Sequence, residues 1–190
     1  SSIEATEVTR ELISVITDHA DRIVPHLHLC LQSGSDSVLR RMRRRWGTRM
    51  FLDRCSLLRE SLDSPAITTD IIVGFPGETD SEFQETLETC RAAGFSKLHA
   101  FPFSARRGTP AAEMPNQIQP QPKAERAAVL GELECRLRHE YYERLIGKSV
   151  QVLVESQEAN ESGYFTGTSC RYAPVEFVAT SDQEGQLVDL

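Results

Sequence analysis

Three clusters in this chain combine chain-bending glycine with groups able to hold a ligand. Gln32-Ser33-Gly34-Ser35 follows an alternating run, and Gly74-Phe75-Pro76-Gly77-Glu78 follows an apolar, β-branched run. Phe103-Ser104 leads into Arg106, Arg107 and Gly108-Thr109-Pro110. Gly74 and Gly77 allow backbone geometry or close approach that a Cβ forbids, although a Gly-x-x-Gly step between strand and helix is equally a plain turn. Asp70 interrupts "ITTDIIV", residues 67–73. A buried carboxylate without partners is costly. Asp70 is therefore either satisfied by a neighbouring strand or helix end, or it faces a polar ligand cavity. His28 and His99 take similar places in two other runs, each as a satisfied core histidine or as part of a shared polar interior. "RRMRRRW" puts five arginines in seven positions. It reads as a solvated helix end or as a contact for RNA phosphates, for which Arg is suited. No Ser/His/Asp arrangement and no paired carboxylates emerge.

The elements that must position these residues alternate. Residues 6–19 read as a helix capped by Thr6, with Val8, Leu12, Val15, Ile16 and His19 at helical spacing. "HLHLCLQ", residues 26–32, alternates strictly: Leu27, Leu29 and Leu31 against His28, Cys30 and Gln32. Ser35 can cap a short helix with Val38, Leu39 and Met42 as its stripe, and a further helix covers about 49–62. A strand over 66–74 is followed by the clearest helix, opened by a Thr79/Glu82 capping box and ended by Gly94. A third strand covers 96–103. An amphipathic helix runs from about Lys123 to Leu145. Strand–helix alternation of this kind predicts a parallel α/β sheet, with ligands at the carboxyl ends of the strands. With no strand expected before residue 6, the sheet has three strands and an open edge. The chain then reads as a piece of a longer protein. After Gly147 the short runs "KSVQVLVES", "GYFTGTSC", "APVEFVAT" and "GQLVDL" predict a small all-β module.

The 190 residues suit one domain plus a small one. No apolar run approaches the roughly 18 residues needed to span a membrane, and the first residues lack the features of a secretory signal. A net charge of −7 argues against a general nucleic-acid coat while leaving room for a local basic site. The five cysteines are scattered and odd in number, as in a reduced, cytoplasmic protein with buried thiols, and they have no metal-ligand spacing.

Three segments in order, "HLHLCLQSGSDSVLRRMRRRW", "TTDIIVGFPGETDSEF" and "GFSKLHAFPFSARRGTPAAEM", resemble the radical S-adenosylmethionine methylthiotransferases. "LHAFPFSARRGTPAA" and "GTSCRYAPVEF" are most similar to the branch that modifies threonylcarbamoyladenosine in tRNA. The resemblance implies an α/β fold class: a partial radical SAM TIM-type (βα) barrel with its trailing helix over residues 1–146. A small all-β TRAM-like barrel that binds RNA follows over residues 147–190. It implies S-adenosylmethionine and [4Fe-4S] clusters as cofactors, and tRNA as partner. The chemistry implied is methylthio transfer to the adenine C2 position. Carried over residue by residue, Gln32, Ser33, Gly34, Asp70, Gly74, Phe75, Pro76 and Gly77 would face the cofactor. Arg106, Arg107 and Arg171 would face RNA, and no catalytic residue is singled out. The family's Cys-x-x-x-Cys-x-x-Cys spacing is absent from the sequence, as are the second cluster's cysteines, so the chain alone is expected to be inactive. An exposed edge on its first strand could pair with a second copy. The alternatives are the sister branches acting on isopentenyladenosine in tRNA or on ribosomal protein S12, and a cluster-free RNA-binding protein.

Overall fold

A computed structural model describes residues 2–155, 164–178 and 183–190. Four parallel strands form the first sheet: β1 (Ser2–Ile3), β2 (His26–Leu29), β3 (Ala66–Val73) and β4 (Lys97–Pro102). They lie side by side in chain order, β1-β2-β3-β4. The expected sheet of three strands thus has a fourth. β1 is two residues long, too short to show any period, and it takes the edge that the sequence reading assigned to the strand at His26.

Between the strands run α1 (Arg10–Asp18), α2 (Asp36–Arg41), α3 (Thr48–Ser61) and α4 (Asp80–Ala93). After β4 come α5 (Pro110–Glu113) and α6 (Pro120–Glu143). The helix expected over 6–19 is divided. Residues 5–7 form a 3-10 turn, and Thr9, not Thr6, caps α1 by accepting from the Leu12 N–H at 3.2 Å. The buried stripe of α1 is accordingly Ile13 and Ile16, and Val15 is exposed. The Thr79/Glu82 capping box forms as the sequence predicts, and Gly94 closes α4 in the left-handed conformation, φ 58°.

Alternation gives the sheet two unlike faces. Leu27 and Leu29 of β2, Ile67, Ile71 and Val73 of β3 and Leu98 of β4 are buried in one core with Phe51, Leu58, Leu87, Phe95 and Leu133. α6 covers the outer side of β4, burying Leu130, Leu133, Leu137 and Tyr141. The opposite face carries His26, His28, Asp70, Ile72, His99 and Phe101, all half-buried or exposed. Strands wound in chain order with one helix-covered face are the winding of a βα barrel, not of a doubly wound sheet.

The second module contains β5 (Gln151–Val154), β6 (Phe165–Ser169), β7 (Pro174–Phe177) and β8 (Leu187–Asp189). Among the described residues it is an antiparallel sheet in the order β7-β6-β5-β8. Its own small core is Val152, Val154, Phe165 and Phe177. No helix among the described residues is long and apolar enough to cross a membrane.

Candidate functional site

The three glycine-bearing clusters meet at the carboxyl ends of β2, β3 and β4. Gln32 sits just beyond β2 with φ 67°. The Ser33 N–H donates to the Leu31 C=O at 2.8 Å across it, a three-residue turn of the rare, strained hand. Gln32 is nevertheless held on β3: its N–H donates to the Asp70 C=O at 2.9 Å, and its C=O accepts from the Ile72 N–H at 2.8 Å. Two cavities, of about 350 and 540 Å³, share Gln32, Ile72, Phe103, Thr109 and Ala111 as lining, so they form one continuous mouth. Phe75 forms part of the wall of the first and meets Phe103 edge-on at 5.2 Å. Asp70 lines the second and is about one-third exposed.

Asp70 also belongs to a polar chain on the open face of the sheet. Its carboxylate lies 3.4 Å from His28 Nε2, and Thr68 Oγ1 is 3.0 Å from both His28 Nδ1 and His26 Nε2. A carboxylate only accepts, so it calls for the His28 proton on Nε2. His28 Nδ1 then accepts from the Thr68 hydroxyl, which leaves Thr68 to accept from His26. Burial, followed by the neighbouring His28, holds the His26 pKa down at about 4. His99 pairs in register with Asp70 from β4.

The Gly-Phe-Pro-Gly loop is held from behind by residues its own sequence does not announce. Glu78, 3% exposed, accepts from the Gly74 N–H at 2.6 Å and from Arg126 Nη1 of α6 at 2.7 Å. Burial raises the Glu78 pKa even against these bonds. Arg126 also reaches Asp80 at 2.7 Å and lies over the Phe83 ring. Gly74, at φ 70°, lies so close to Lys123 that any Cβ would overlap that side chain. Lys123 Nζ donates to the Phe103 C=O at 2.8 Å, tying the second and third clusters together. Pro76 is buried in the loop, and the Gly77 N–H donates to the Asn116 C=O at 2.9 Å.

Ser33 and Gly34 are turned toward α4 and not into the mouth. Ser33 Oγ is 3.4 Å from Thr86 Oγ1, and a Cβ on Gly34 would stand 2.6 Å from Thr86 Cα. Thr89 Oγ1 donates to the Gly34 C=O at 2.8 Å. These residues set the height of the Gln32 turn above the helix. Arg41 grips Glu82 with two bonds, at 2.8 and 2.7 Å, and so joins α2 to the start of α4. That grip, with Ser37 and the Thr79 N–H, takes the Glu82 pKa down to about 2.

Of the three expected RNA-facing arginines, Arg106 lines the larger cavity and Arg107 is exposed beside it. Arg171 is elsewhere. It sits after β6, and its Nη2 donates to the Asp63 C=O at 3.0 Å and to Asp63 Oδ2 at 3.3 Å. Lys148 Nζ reaches Asp63 Oδ1 at 2.8 Å, and Tyr172 stacks on His26 with 4.0 Å between centroids. Asp63 precedes β3 and His26 opens β2, so the β module docks at the strands' amino ends, opposite the mouth.

The cysteines do not converge. Cys55 and Cys90 are buried among apolar groups, which pushes both thiols up to about 12, whereas Cys135 is exposed. Among the described residues no group of three His, Cys, Asp or Glu is placed to hold a metal ion. An iron–sulfur cluster needs converging thiolates, so the residues present do not fit one. They do fit a small polar ligand with an aromatic part at the mouth: the Gln32 side-chain amide, a carboxylate about one-third exposed, and a wall of Phe75, Phe103 and Ile72.

Comparison with known proteins agrees with this geometry. Residues 2–90 match the family model described as the Radical SAM superfamily. The chain is 43% identical to a threonylcarbamoyladenosine tRNA methylthiotransferase of Bacillus subtilis, over 99% of its own length and 42% of the relative's. It is 41% identical to a tRNA-2-methylthio-N(6)-dimethylallyladenosine synthase of Acidothermus cellulolyticus, over 96% of its length and 37% of the relative's. The chain therefore spans about two fifths of the curated relatives it matches. Among solved structures, coproporphyrinogen III oxidase of Escherichia coli, a radical SAM enzyme, superposes with a TM-score of 0.56 at 19% identity, over 70% of this chain and 31% of that one. With its three strand-end motifs in order and its singly wound parallel sheet, the chain is similar, over nearly its whole length, to part of the radical SAM methylthiotransferases.

Proposed function

We propose that the strand-end mouth is the S-adenosylmethionine side of a tRNA-modifying methylthiotransferase acting at the C2 position of threonylcarbamoyladenosine. The observation that carries this reading is the mouth itself, with Gln32 held in a strained turn between an aromatic wall and Asp70. In this reading Phe75 and Phe103 receive the adenine ring. The Gln32 amide and the Asp70 carboxylate hold polar groups of the cofactor, and the Gly-Phe-Pro-Gly loop is kept close by Glu78 and Arg126. Bound S-adenosylmethionine supplies the methyl group and, with the family's [4Fe-4S] clusters, the radical. No step is assigned to this chain through a cluster, because its cysteines lack the spacing, and we infer that the 190 residues alone are inactive.

The nucleoside is the finer part of the proposal, since relatives named for threonylcarbamoyladenosine and for dimethylallyladenosine match at 43% and 41% identity. The test is nucleoside analysis of tRNA from a strain lacking the gene. The expected result is loss of the 2-methylthio group from threonylcarbamoyladenosine and its return on complementation. Loss from the dimethylallyl nucleoside instead, or a change confined to ribosomal protein S12, would overturn the assignment.

A further inference from the structure

Asp70 lines the mouth with a side chain 33% exposed, and its Oδ1 has no hydrogen-bond partner among the described residues. Packing alone does not hold such a carboxylate. A ligand must then fix its rotamer as it binds, at a cost to affinity, unless the fold has done so beforehand.

The group that reaches Asp70 is His28. His28 shares a rung with Thr68, and Asp70 is the next residue of β3 on that face. The imidazole spans both: Nδ1 stands 3.0 Å from Thr68 Oγ1 and Nε2 3.4 Å from Asp70 Oδ2. His99, in register with Asp70 on β4, lies instead against the Phe101 ring, with 6.3 Å between centroids. Both ring nitrogens of His28 are engaged, which fixes the ring against a flip. The order of donors is fixed as well. Asp70 can only accept, so Nε2 carries the proton, Nδ1 accepts from the Thr68 hydroxyl, and that hydroxyl accepts from His26 Nε2 at 3.0 Å. Thr68 is 5% exposed, so its hydroxyl has little water to turn to. Three donors therefore point one way along the sheet, toward the mouth, each polarising the next.

We propose that His28 is the positioning residue of the mouth: with Thr68 and His26 behind it, it holds Asp70 Oδ2 and keeps Oδ1 turned to a hydrogen-bond donor of the bound ligand. This rests on the reading of the mouth as the S-adenosylmethionine side. His28 touches no ligand itself; it sets the geometry of a residue that does. A histidine that only fills the space behind the mouth would add to stability and nothing else.

The experiment measures binding of S-adenosylhomocysteine to the complete gene product by calorimetry, with the melting temperature of each variant alongside. This probe lacks the sulfonium, so the readout does not depend on turnover. H28A should bind on the order of tenfold more weakly, as for one lost hydrogen bond to a charged group, and D70A should lose at least as much. The double variant H28A/D70A should match D70A within about twofold, because His28 then has nothing to hold. H28Q, whose amide N–H can still reach Oδ2, should return to within about threefold of the parent. T68V keeps the side chain's shape without its hydroxyl, and should weaken binding about threefold in the parent and not at all in D70A. If H28A does not fold, T68V carries the same comparison. Parental affinity in H28A or T68V beside weak binding in D70A overturns the proposal and leaves the mouth in place. Additive losses in H28A/D70A or T68V/D70A do the same, since His28 and Thr68 would then act without Asp70. Parental affinity in D70A overturns both readings.

Discussion

Arg126→Met should expose how much the mouth depends on one buried charge pair. Glu78 has a side chain 1% exposed and Arg126 one 10% exposed, with 2.7 Å between Oε2 and Nη1. Removing one partner of such a pair costs about 3–5 kcal/mol, because the remaining charge is left uncompensated. For a chain of this size that corresponds to a fall in melting temperature of roughly 6–20 °C. The loss should depend on pH. Burial already raises the Glu78 pKa above 4.5, with Arg126 pulling against it. Without Arg126 the folded-state value rises further. A raised carboxyl pKa means that the folded chain takes up a proton before the unfolded chain does. Stability therefore declines as pH rises from the unfolded value through the folded one, and levels off above it. Urea unfolding between pH 5 and 8 should show the deficit largest at neutral pH and smaller in acid. Glu78→Gln with Arg126→Met should recover about half of the loss or more, since a neutral amide can still accept from the Gly74 N–H. Asp80 is 99% exposed, so its lost contact with Arg126 matters little. A deficit below about 1 kcal/mol at neutral pH, a deficit flat in pH, or a double variant no better than the single one would refute the reasoning from buried charge.

Gly34→Ala should destabilise by about 1–3 kcal/mol in denaturant unfolding. The new Cβ meets Thr86 Cα at 2.6 Å and Thr89 Cβ at 2.7 Å, and an unchanged midpoint would mean that the turn is not fixed on α4. Tyr172→Ala should return the His26 pKa from about 4 toward 6.5 in an NMR titration of the imidazole, because the stacked ring contributes to its burial. Stability from neutral His26 is present above pH 6.5 and lost as pH falls toward 4, and that acid loss should shrink in the variant; an unmoved His26 would refute the cause. Asp70→Ala in the complete gene product should weaken S-adenosylmethionine binding in calorimetry more than it lowers the melting temperature; a loss of stability alone would make Asp70 a structural residue.

The parts of the fold legible in sequence are those governed by local physics. Strict alternation in "HLHLCLQ" gave the two faces of β2, and the Thr79/Glu82 box and Gly94 fixed both ends of α4. Failures came where contacts span long separations or too few residues. β1 is two residues long and gains its identity only by pairing Ser2 with His28 and Ile3 with Leu29. Glu78 and Arg126 stand 48 positions apart, so nothing near either residue announces the pair that holds the loop. A faint signal was present: Arg126 stands at the head of the stripe of a helix whose other buried positions are Leu and Tyr. Ser33 and Gly34 read as ligand-facing because they follow a strand. Their partners, Thr86 and Thr89, lie on a helix whose docking the sequence does not reveal.

The two ends of the parallel sheet are built on different principles, and this decides how substitutions there should be read. At the carboxyl ends the residues are strained, half-exposed or held by distant charges: Gln32 at φ 67°, Gly74 at φ 70°, Asp70 on the open face. A non-glycine residue at positive φ, as Gln32 is, costs stability and persists only because the surrounding packing over-determines it. At the amino ends Asp63 gathers Lys148 and Arg171, Ser64 accepts from Tyr141, and Tyr172 covers His26. Asp63 is 70% exposed, so its ion pairs contribute little each. The docking of the β module therefore rests on the Tyr172–His26 stack together with the Arg171 and Lys148 contacts to Asp63. Both basic groups of that module are nonetheless committed to Asp63, whereas Arg106 and Arg107 are exposed at the other end of the sheet. A charge change at the seam should act through stability, and one at the mouth through binding. In a sheet wound like a βα barrel this is the division expected between the two ends of the strands.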